Sequence, residues 1–447
     1  MLAACLFGIL TRPVGFLAAL WPANAVMLGL LIRFPKSAGL FGWAAAAAAY
    51  LVADLITGSS LQKAIVLNAA NLVGVAAGYL VLRRVSEEVV SLRHSTAMFH
   101  LLFASAIAGA AAGLVGALAN PLLFAGGAFE GWSFWFATEL VNYVTFLPLI
   151  LALPKAGDGG TGPERAVESR RWPNAAPALA VFASCLVAVL GGGPGAIAYP
   201  VPALLWCGLT YSVFRTTLLT AIFGCWTLIA TGAGLYPHFI EPYDEKALVS
   251  VRIAIALVSM APIMLASIMH GRNELLAELR HRASHDTLTG AANRSAFREA
   301  AERAFQAANA SRSIMMIDID RFKAINDSFG HATGDEVLVS FVGRVRNCLR
   351  NGDLLARMGG EEFAILLDAP GSRAEAVAIG ERILDAVGER PVTLANGRTI
   401  SVTASIGLAF SDDGCAGCVD SLLSEADAAL YRAKQNGRNR IEFAASA

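Results

Sequence analysis

Leu354-Leu-Ala-Arg-Met-Gly-Gly-Glu-Glu-Phe-Ala-Ile-Leu-Leu367 holds two short apolar runs, Leu354–Met358 and Phe363–Leu367, around Gly359-Gly360-Glu361-Glu362. Runs of this length read as strands, and the paired glycines between them read as a tight hairpin turn. Two carboxylates, Glu361 and Glu362, stand directly after that turn. Glycines let a phosphate come close to the backbone, and carboxylates can hold a hard cation such as Mg²⁺. Alone, a Gly-Gly turn flanked by acids reads equally well as a solvated hairpin. Its companions in the chain decide between the two.

Upstream, Ser313-Ile-Met-Met-Ile-Asp-Ile-Asp320 is an apolar run ending in carboxylates. It predicts a buried strand whose C-terminal end emerges at Asp318 and Asp320, the end at which open α/β sheets hold ligands. Arg321 to Asp327 reads as a turn or short helix carrying Lys323 and Asn326. Thr333-Gly-Asp-Glu336 fits a capping box, with Thr333 as N-cap and Glu336 at N3, which places Asp335 in the first helical turn. Downstream, the alternation from Ile400 to Gly407 predicts a further strand, and Ser421 to Lys434 a helix. That helix ends in Lys434, with Arg438 four residues on, two cations suited to phosphates. An Asp318–Glu361–Glu362 carboxylate set beside such cations suits a metal site for phosphoryl or nucleotidyl transfer. No Walker-type or GxGxxG element is present.

The rest of the chain has another character. Of its 447 residues 55% are hydrophobic and only 16% charged, and the mean hydropathy is +0.55. Ordinary soluble proteins carry roughly 25% charged residues, so a large part of this chain is expected in lipid. Apolar stretches at 12–32, 39–57, 61–82, 97–118, 132–153, 177–193, 198–214, 216–236 and 248–269 approach the length of a membrane crossing. They predict eight or nine crossings, the two around Leu190 and Trp206 being short and the first open to a break at Pro13 or Pro22. A cleaved signal peptide is not expected, because no basic residue precedes Arg12.

Basic residues mark alternate breaks: Arg33/Lys36, Arg83/Arg84/Arg93, Lys155/Arg165/Arg170/Arg171, Arg215 and Arg272/Arg280. The intervening breaks are neutral or acidic, with Glu130, Glu241, Asp244 and Glu245. The positive-inside rule puts the first set, and everything after the last span, in the cytoplasm. Lys63, Lys246 and Arg252 are single charges on the opposite side. Asn24, Asp54, Asn68, Asn71, Glu139 and Asn142 sit within or near the spans. Intramembrane carboxylates are costly and mark functional sites, so Glu139 and Asn142 are candidates for ligand sensing or ion handling. The bland alternative is interfacial solvation, which suits Asp54 near Gly58 better than Glu139.

Between the halves, Asn273 to Arg282 has strong helix formers with Leu275, Leu276 and Leu279 at helical spacing. It predicts a helix that is either a plain connector or, in a dimer, a short parallel seam. Lys+Arg and Asp+Glu balance at 35 each, so net charge points to no nucleic-acid or acidic partner. The seven cysteines do not form a disulfide pattern, and Cys415-Ala-Gly-Cys418, lacking a second ligand pair, reads as a surface loop.

Taken together, the blocks resemble the GGDEF family of diguanylate cyclases over about 284–442. They are Asp286-Thr-Leu-Thr289 with Asn293-Arg294, Asp318 to Asp327, Gly330-His331 with Gly334-Asp335, Arg357 to Phe363, Ala404 to Gly407, and Ala426 to Tyr431 with Ala433-Lys434 and Gly437-Arg-Asn439. The membrane half, about 1–270, resembles MASE-type membrane-associated sensor domains through its short-looped spans and Leu20-Trp-Pro-Ala-Asn24. The expected fold is a polytopic all-α membrane domain (1–270), a linker helix (271–284) and an α/β, palm- and cyclase-like domain (285–447) with a mainly antiparallel sheet.

The resemblance implies a multi-pass protein of the bacterial inner membrane that condenses two GTP into cyclic di-GMP and pyrophosphate in a homodimer. It implies two Mg²⁺ or Mn²⁺ ions held by Asp318, the Ile319 carbonyl, Glu361 and Glu362, with Glu361 or the metal alone activating the attacking hydroxyl. By the same resemblance Asn326 and Asp335 read the guanine edge, His331, Gly359 and Gly360 line the nucleotide, and Lys323, Lys434 and Arg438 neutralise its phosphates. Arg350-Asn-Gly-Asp353 has the form and spacing of the family's product-inhibition site, binding cyclic di-GMP through Arg350 and Asp353. Met358 departs from the aromatic residue many relatives carry. Two other readings are weighed: a catalytically silent GTP or cyclic di-GMP receptor, and a transporter with a regulatory tail. The intact acids speak against the first and the lack of an internal repeat against the second. The membrane signal is not identified by the sequence.

Overall fold

The computed structural model describes all residues except 11–19, 125, 155–173, 194, 237–244, 307–310, 412–418 and 445–447. Cys415-Ala-Gly-Cys418, the basic cluster at 155–171, Arg12, Pro13, Glu241 and Asp244 lie outside the described residues. Contacts divide the chain into two units, Met1–Glu274 and Leu275–Ala447.

The first unit is helical: α1 (Leu2–Leu10), α2 (Pro22–Arg33), α3 (Leu40–Ile56), α4 (Leu61–Leu82), α5 (Glu87–Val90), α6 (Ala97–Leu123), α7 (Ala128–Leu151), α8 (Ala176–Gly191), α9 (Val201–Thr210), α10 (Val213–Gly232) and the start of α11 (Glu245–Ser284). Among the described residues α4, α6, α7, α10 and α11 are long and apolar enough to cross a membrane. The described part of the stretch expected at 12–32, and the stretches expected at 39–57, 177–193 and 198–214, hold shorter apolar helices. The last is cut short because α9 ends at Thr210 and the Ser212 side chain caps α10 by accepting from the Arg215 N–H. Pro22 stands in the first turn of α2, where its missing N–H costs nothing.

Small residues let these helices approach closely. A Cβ on Gly74 would lie 3.0 Å from the Ala108 carbonyl on α6, and one on Gly113 would lie 2.9 Å from the Trp132 ring on α7. Where helices are surrounded by lipid, close packing of this kind is what holds them together. The central helix is α7, the most buried of the five.

In the second unit, β1 (Ala292–Asn293), β2 (Arg312–Ile319), β3 (Leu354–Gly359), β4 (Glu362–Asp368), β7 (Ala404–Ser411) and β8 (Ile441–Phe443) form one sheet in the order β1-β3-β4-β2-β7-β8. The three central pairings are antiparallel and the two outer ones parallel. Every residue of β2 is buried, as its unbroken apolar run predicts for a central strand covered on both faces. The helices are α12 (Arg294–Gln306), α13 (Phe322–Phe329), α14 (His331–Asn347), α15 (Arg373–Gly388) and α16 (Val419–Gln435). One core cluster joins α14 and α15 to the sheet through Phe341, Val345 and Ile383. A second joins α12 and α16 through Phe297, Phe305 and Leu430.

Two local expectations are corrected. The strand expected from Ile400 to Gly407 is interrupted: Thr399–Ile400 (β6) pairs with Val392–Thr393 (β5) in a separate hairpin, and β7 starts only at Ala404. The expected capping box does not form. α14 begins at His331 behind Gly330, whose φ of 87° suits glycine, so Asp335 is its fifth residue. Thr333 Oγ1 donates back to the Phe329 carbonyl, and the Glu336 carboxylate accepts from the Ala395 N–H in the loop of the β5–β6 hairpin. That loop outcompetes the local cap for Glu336.

Candidate active site

β2 delivers Asp318 to the sheet's edge, opposite Glu362 on β4 in register. The Ile319 N–H reaches the Glu361 carbonyl at 3.4 Å, so the Gly-Gly-Glu-Glu turn lies beside the strand end. Gly359 pairs with Glu362, leaving Gly360 and Glu361 as the two turn residues; Gly360 has φ 52°, in the left-handed region. Glu361 is therefore within the turn, and Glu362 opens β4.

Asp318 is buried, and Lys434 Nζ at the end of α16 lies 2.7 Å from its Oδ2. Burial pushes the Asp318 carboxyl above its ordinary range, Lys434 pulls against the rise, and the charges of Glu361 and Glu362 add to it. This is an electronegative pocket edge that one ammonium balances incompletely. Among the described residues no three His, Cys, Asp or Glu side chains already form a closed metal cage. An open all-oxygen donor set still fits Mg²⁺, which keeps water and substrate phosphates as ligands beside one or two carboxylates.

Asp320 takes no part in that set. Its carboxylate accepts from Thr403 Oγ1 at 2.7 Å, Ser405 Oγ at 2.7 Å and the Asn439 N–H at 3.1 Å. It thereby ties the end of β2 to β7 and to the 436–440 loop that carries Arg438. Arg438 and Asn439 themselves have φ of 65° and 47°, a left-handed turn that this bond helps to hold.

The turn is braced from behind. Arg357 Nε donates to the Gly360 carbonyl at 2.9 Å, and its Nη1 donates to both oxygens of Asp286 at 3.0 and 3.2 Å. Asp286 also accepts from the N–H and hydroxyl of Thr289. Burial raises the Asp286 carboxyl, but the Thr289 and Arg357 bonds outweigh it and hold the group below its usual range.

α13 follows directly on β2 and carries Lys323, exposed, and Asn326. Asn326 Oδ1 is buried without a hydrogen-bond partner. It lies against Gly334, where an added Cβ would sit 2.0 Å away. An orphaned buried acceptor beside open polar residues is what a missing donor from a ligand leaves behind. His331 and Asp335 are exposed on the first turns of α14. The structure thus gathers Asp318, Ile319, Glu361, Glu362 and Lys434 with Gly359 and Gly360. It places Asn326 against the turn of α14 next to Asp335, and links the Arg438 loop to the strand end through Asp320.

Arg350 and Asp353 lie at the opposite end of the β3–β4 hairpin, about 20 Å away at 3.3 Å per residue. They close a tight turn: Asp353 Oδ2 accepts the Arg350 N–H at 3.0 Å. The exposed Arg350 guanidinium is 2.5 Å from Glu375 Oε1. The Gly371 N–H and then Arg350 hold Glu375 below its ordinary range.

In the helical unit, the polar residues singled out in the sequence form one buried chain. Asn68 donates to Asp54 at 2.9 Å, Asn71 to Asn68 at 3.1 Å, and Asn24 to Asn71 at 3.0 Å. Asn24 also donates to both oxygens of Glu139, at 2.8 and 2.9 Å, and accepts from Tyr50 and the Trp21 ring. Asn142 Oδ1 accepts the Trp21 N–H at 2.8 Å. Trp21 and Tyr50 were not foreseen as members of this chain; their polar tips are the signal, since a buried Tyr or Trp needs a partner.

The model of the diguanylate cyclase GGDEF domain matches residues 283–440. The probable diguanylate cyclase DgcF of Escherichia coli O157:H7 is 30% identical over 441 residues, covering 96% of this chain and 90% of that protein. DgcF of Escherichia coli strain K12 is 32% identical over 317 residues, covering 68% of this chain and 95% of that protein. The solved structure of the coiled coil and GGDEF domain of DgcB from Caulobacter crescentus in complex with c-di-GMP is 31% identical, covers 39% of this chain and 92% of that one, and has a TM-score of 0.36.

Proposed function

The chain belongs to the GGDEF family of diguanylate cyclases and makes cyclic di-GMP, and from that premise we propose how its own residues do so and what governs them. The observation that carries the proposal is the Asp318–Lys434 pair at the end of β2, beside the Glu361 and Glu362 turn.

On this reading Asp318, the Ile319 carbonyl, Glu361 and Glu362 hold two divalent cations, Mg²⁺ or Mn²⁺. When bound, such ions neutralise triphosphate oxygens and lower the pKa of a coordinated hydroxyl. Lys434 moves from Asp318 to the phosphates, joined by Lys323 and Arg438, while the backbone of Gly359 and Gly360 allows close approach. Asn326 Oδ1 accepts from the guanine edge, which satisfies its orphaned acceptor. Asp335 accepts from guanine N1–H and the amino group, a pair that adenine does not offer; His331 lies alongside. Each 3′-hydroxyl attacks the α-phosphate of the opposing GTP in line. A P–O bond to the 3′-oxygen forms, the bond to the β-phosphate bridge breaks, and pyrophosphate leaves. On this reading Glu361 takes the hydroxyl proton, or the metal alone would lower the hydroxyl's pKa. Because each domain holds one GTP, a homodimer is part of the mechanism.

The five span-length helices support a membrane protein. The distribution of basic loops supports a bacterial inner-membrane placement with the cyclase domain in the cytoplasm. The buried hydrogen-bonded chain from Asp54 to Glu139 supports a sensory role for the helical unit, because carboxylates among membrane-length apolar helices are costly and mark functional sites. The signal would shift the population of cyclase pairings through the exposed Leu275, Leu276 and Leu279 of α11. Cyclic di-GMP at Arg350 and Asp353 would close a feedback loop.

The test is incubation of purified full-length protein with GTP and Mg²⁺. Cyclic di-GMP and pyrophosphate should appear and EDTA should stop them. A confirmed dimer that binds GTP without forming product would favour a receptor instead. Crosslinking along 273–282 should differ between active and inactive protein; identical patterns would sink the linker mechanism.

A further inference from the structure

Arg252 lies on α11, seven residues beyond Glu245, and is only 5% exposed. Its Nη1 donates to Thr138 Oγ1 on α7, and its guanidinium carbon sits 4.3 Å from the centre of the Phe134 ring. The Thr138 hydroxyl hydrogen is already committed to the Phe134 carbonyl at 2.6 Å, so Thr138 offers Arg252 an acceptor and nothing more. Among the described residues no carboxylate pairs with it. Glu139, next along α7, binds Asn24 instead.

A guanidinium carries five N–H donors and does not shed its proton in proteins. A buried carboxyl escapes its charge by taking up a proton; a buried arginine has no such escape. Among the described residues one neutral hydroxyl and one ring face are its partners, and no carboxylate there answers its charge, which is costly in a low-dielectric interior. A ring face offsets only a part of that cost. Phe129, Trp132, Phe134 and Phe136 crowd the start of α7, with Trp132 stacked on Phe136 at 5.2 Å, the aromatic signature of a membrane–water boundary.

We propose that Arg252, with Thr138 and Phe134, is the anchor of a binding site for a singly charged oxygen anion, a carboxylate or a phosphodiester. One positive charge calls for one negative charge, and the guanidinium fork matches two oxygens of either group. The source is a small organic acid or the headgroup of an anionic lipid. The assignment is independent of the cyclase chemistry.

The test reconstitutes full-length protein in phosphatidylcholine nanodiscs and follows its thermal unfolding midpoint. One arm titrates sodium acetate against sodium chloride at equal ionic strength; the other replaces part of the phosphatidylcholine with phosphatidylglycerol. A ligand bound only by the folded state raises the midpoint saturably. The wild type should rise in the acetate arm if the source is an organic acid, and in the phosphatidylglycerol arm alone if it is lipid. Arg252→Met should show no rise, and in phosphatidylcholine with chloride it should match or exceed the wild-type midpoint, because an uncompensated charge is gone. If that variant does not fold, Thr138→Val should weaken half-saturation several-fold. No rise of the wild type in either arm, or an equal rise in the variants, overturns the proposal.

Discussion

Asn326 and Gly334 show how one atom sets a requirement at the residue scale. A Cβ at position 334 would collide with Asn326 Oδ1, the buried acceptor that we propose reads the guanine edge. Gly334→Ala should therefore raise KM for GTP by about tenfold, the loss of roughly one hydrogen bond of about 1.4 kcal/mol, with a smaller effect on the unfolding midpoint. An unchanged KM would remove Asn326 from the site. Asp320 makes a different requirement: Asp320→Asn keeps its shape but gives up charge toward Thr403, Ser405 and Asn439. As a positioning residue it should cost about 10- to 100-fold in kcat/KM, with metal dependence retained. Asp318, Glu361 and Lys434 were legible in the sequence because the strand, the turn and the helix end that carry them are local patterns. The role of Asp320 was not: its three partners lie 83 to 119 residues away, a separation to which no local pattern is sensitive.

At the scale of elements, the Gly-Gly-Glu-Glu turn depends on a brace that periodicity does not reveal. Arg357 links the Gly360 carbonyl to Asp286, and Asp286 is held below its ordinary range by that guanidinium and by Thr289. A depressed acid contributes stability that is complete above its unfolded value, about 4, and is lost as pH falls through the lower folded value. Full-length protein should thus lose stability on acidification below about pH 4 more steeply than Asp286→Asn. At neutral pH that variant should be less stable by about 1–3 kcal/mol. Parallel acid profiles would show that the brace is idle. The capping box misread at Thr333 has the same origin, since Glu336 is claimed by Ala395 across the fold. At the far end of the β3–β4 hairpin, Arg350 is held by Glu375 in an exposed pair, and such pairs are weak enough to exchange. Arg350→Ala should raise the cyclic di-GMP concentration for half-inhibition by at least about tenfold, one charged contact of roughly 1.4 kcal/mol. Unchanged inhibition would refute the assignment.

For the whole molecule, composition alone divided the chain into an apolar and a polar part, and an apolar part of this kind is expected to be helical, since helices satisfy every backbone group internally. Helix ends within the apolar part were harder to read, because a stretch such as 198–214 is apolar throughout but is cut by Ser212. The convergence of Asn24, Asp54, Asn68, Asn71 and Glu139 was equally hidden: each was visible as an oddity, while their adjacency arises from the packing of α2, α3, α4 and α7. The central claim remains that carboxylates at the end of β2 and in the Gly-Gly-Glu-Glu turn carry out the condensation of GTP. The measurement that bears on it most directly is cyclic di-GMP formation from GTP and Mg²⁺ by purified full-length protein, compared with Glu361→Gln of the same oligomeric state. The account predicts product from the wild type and a loss of about a hundredfold or more in the variant. A variant that matches the wild-type rate would contradict it.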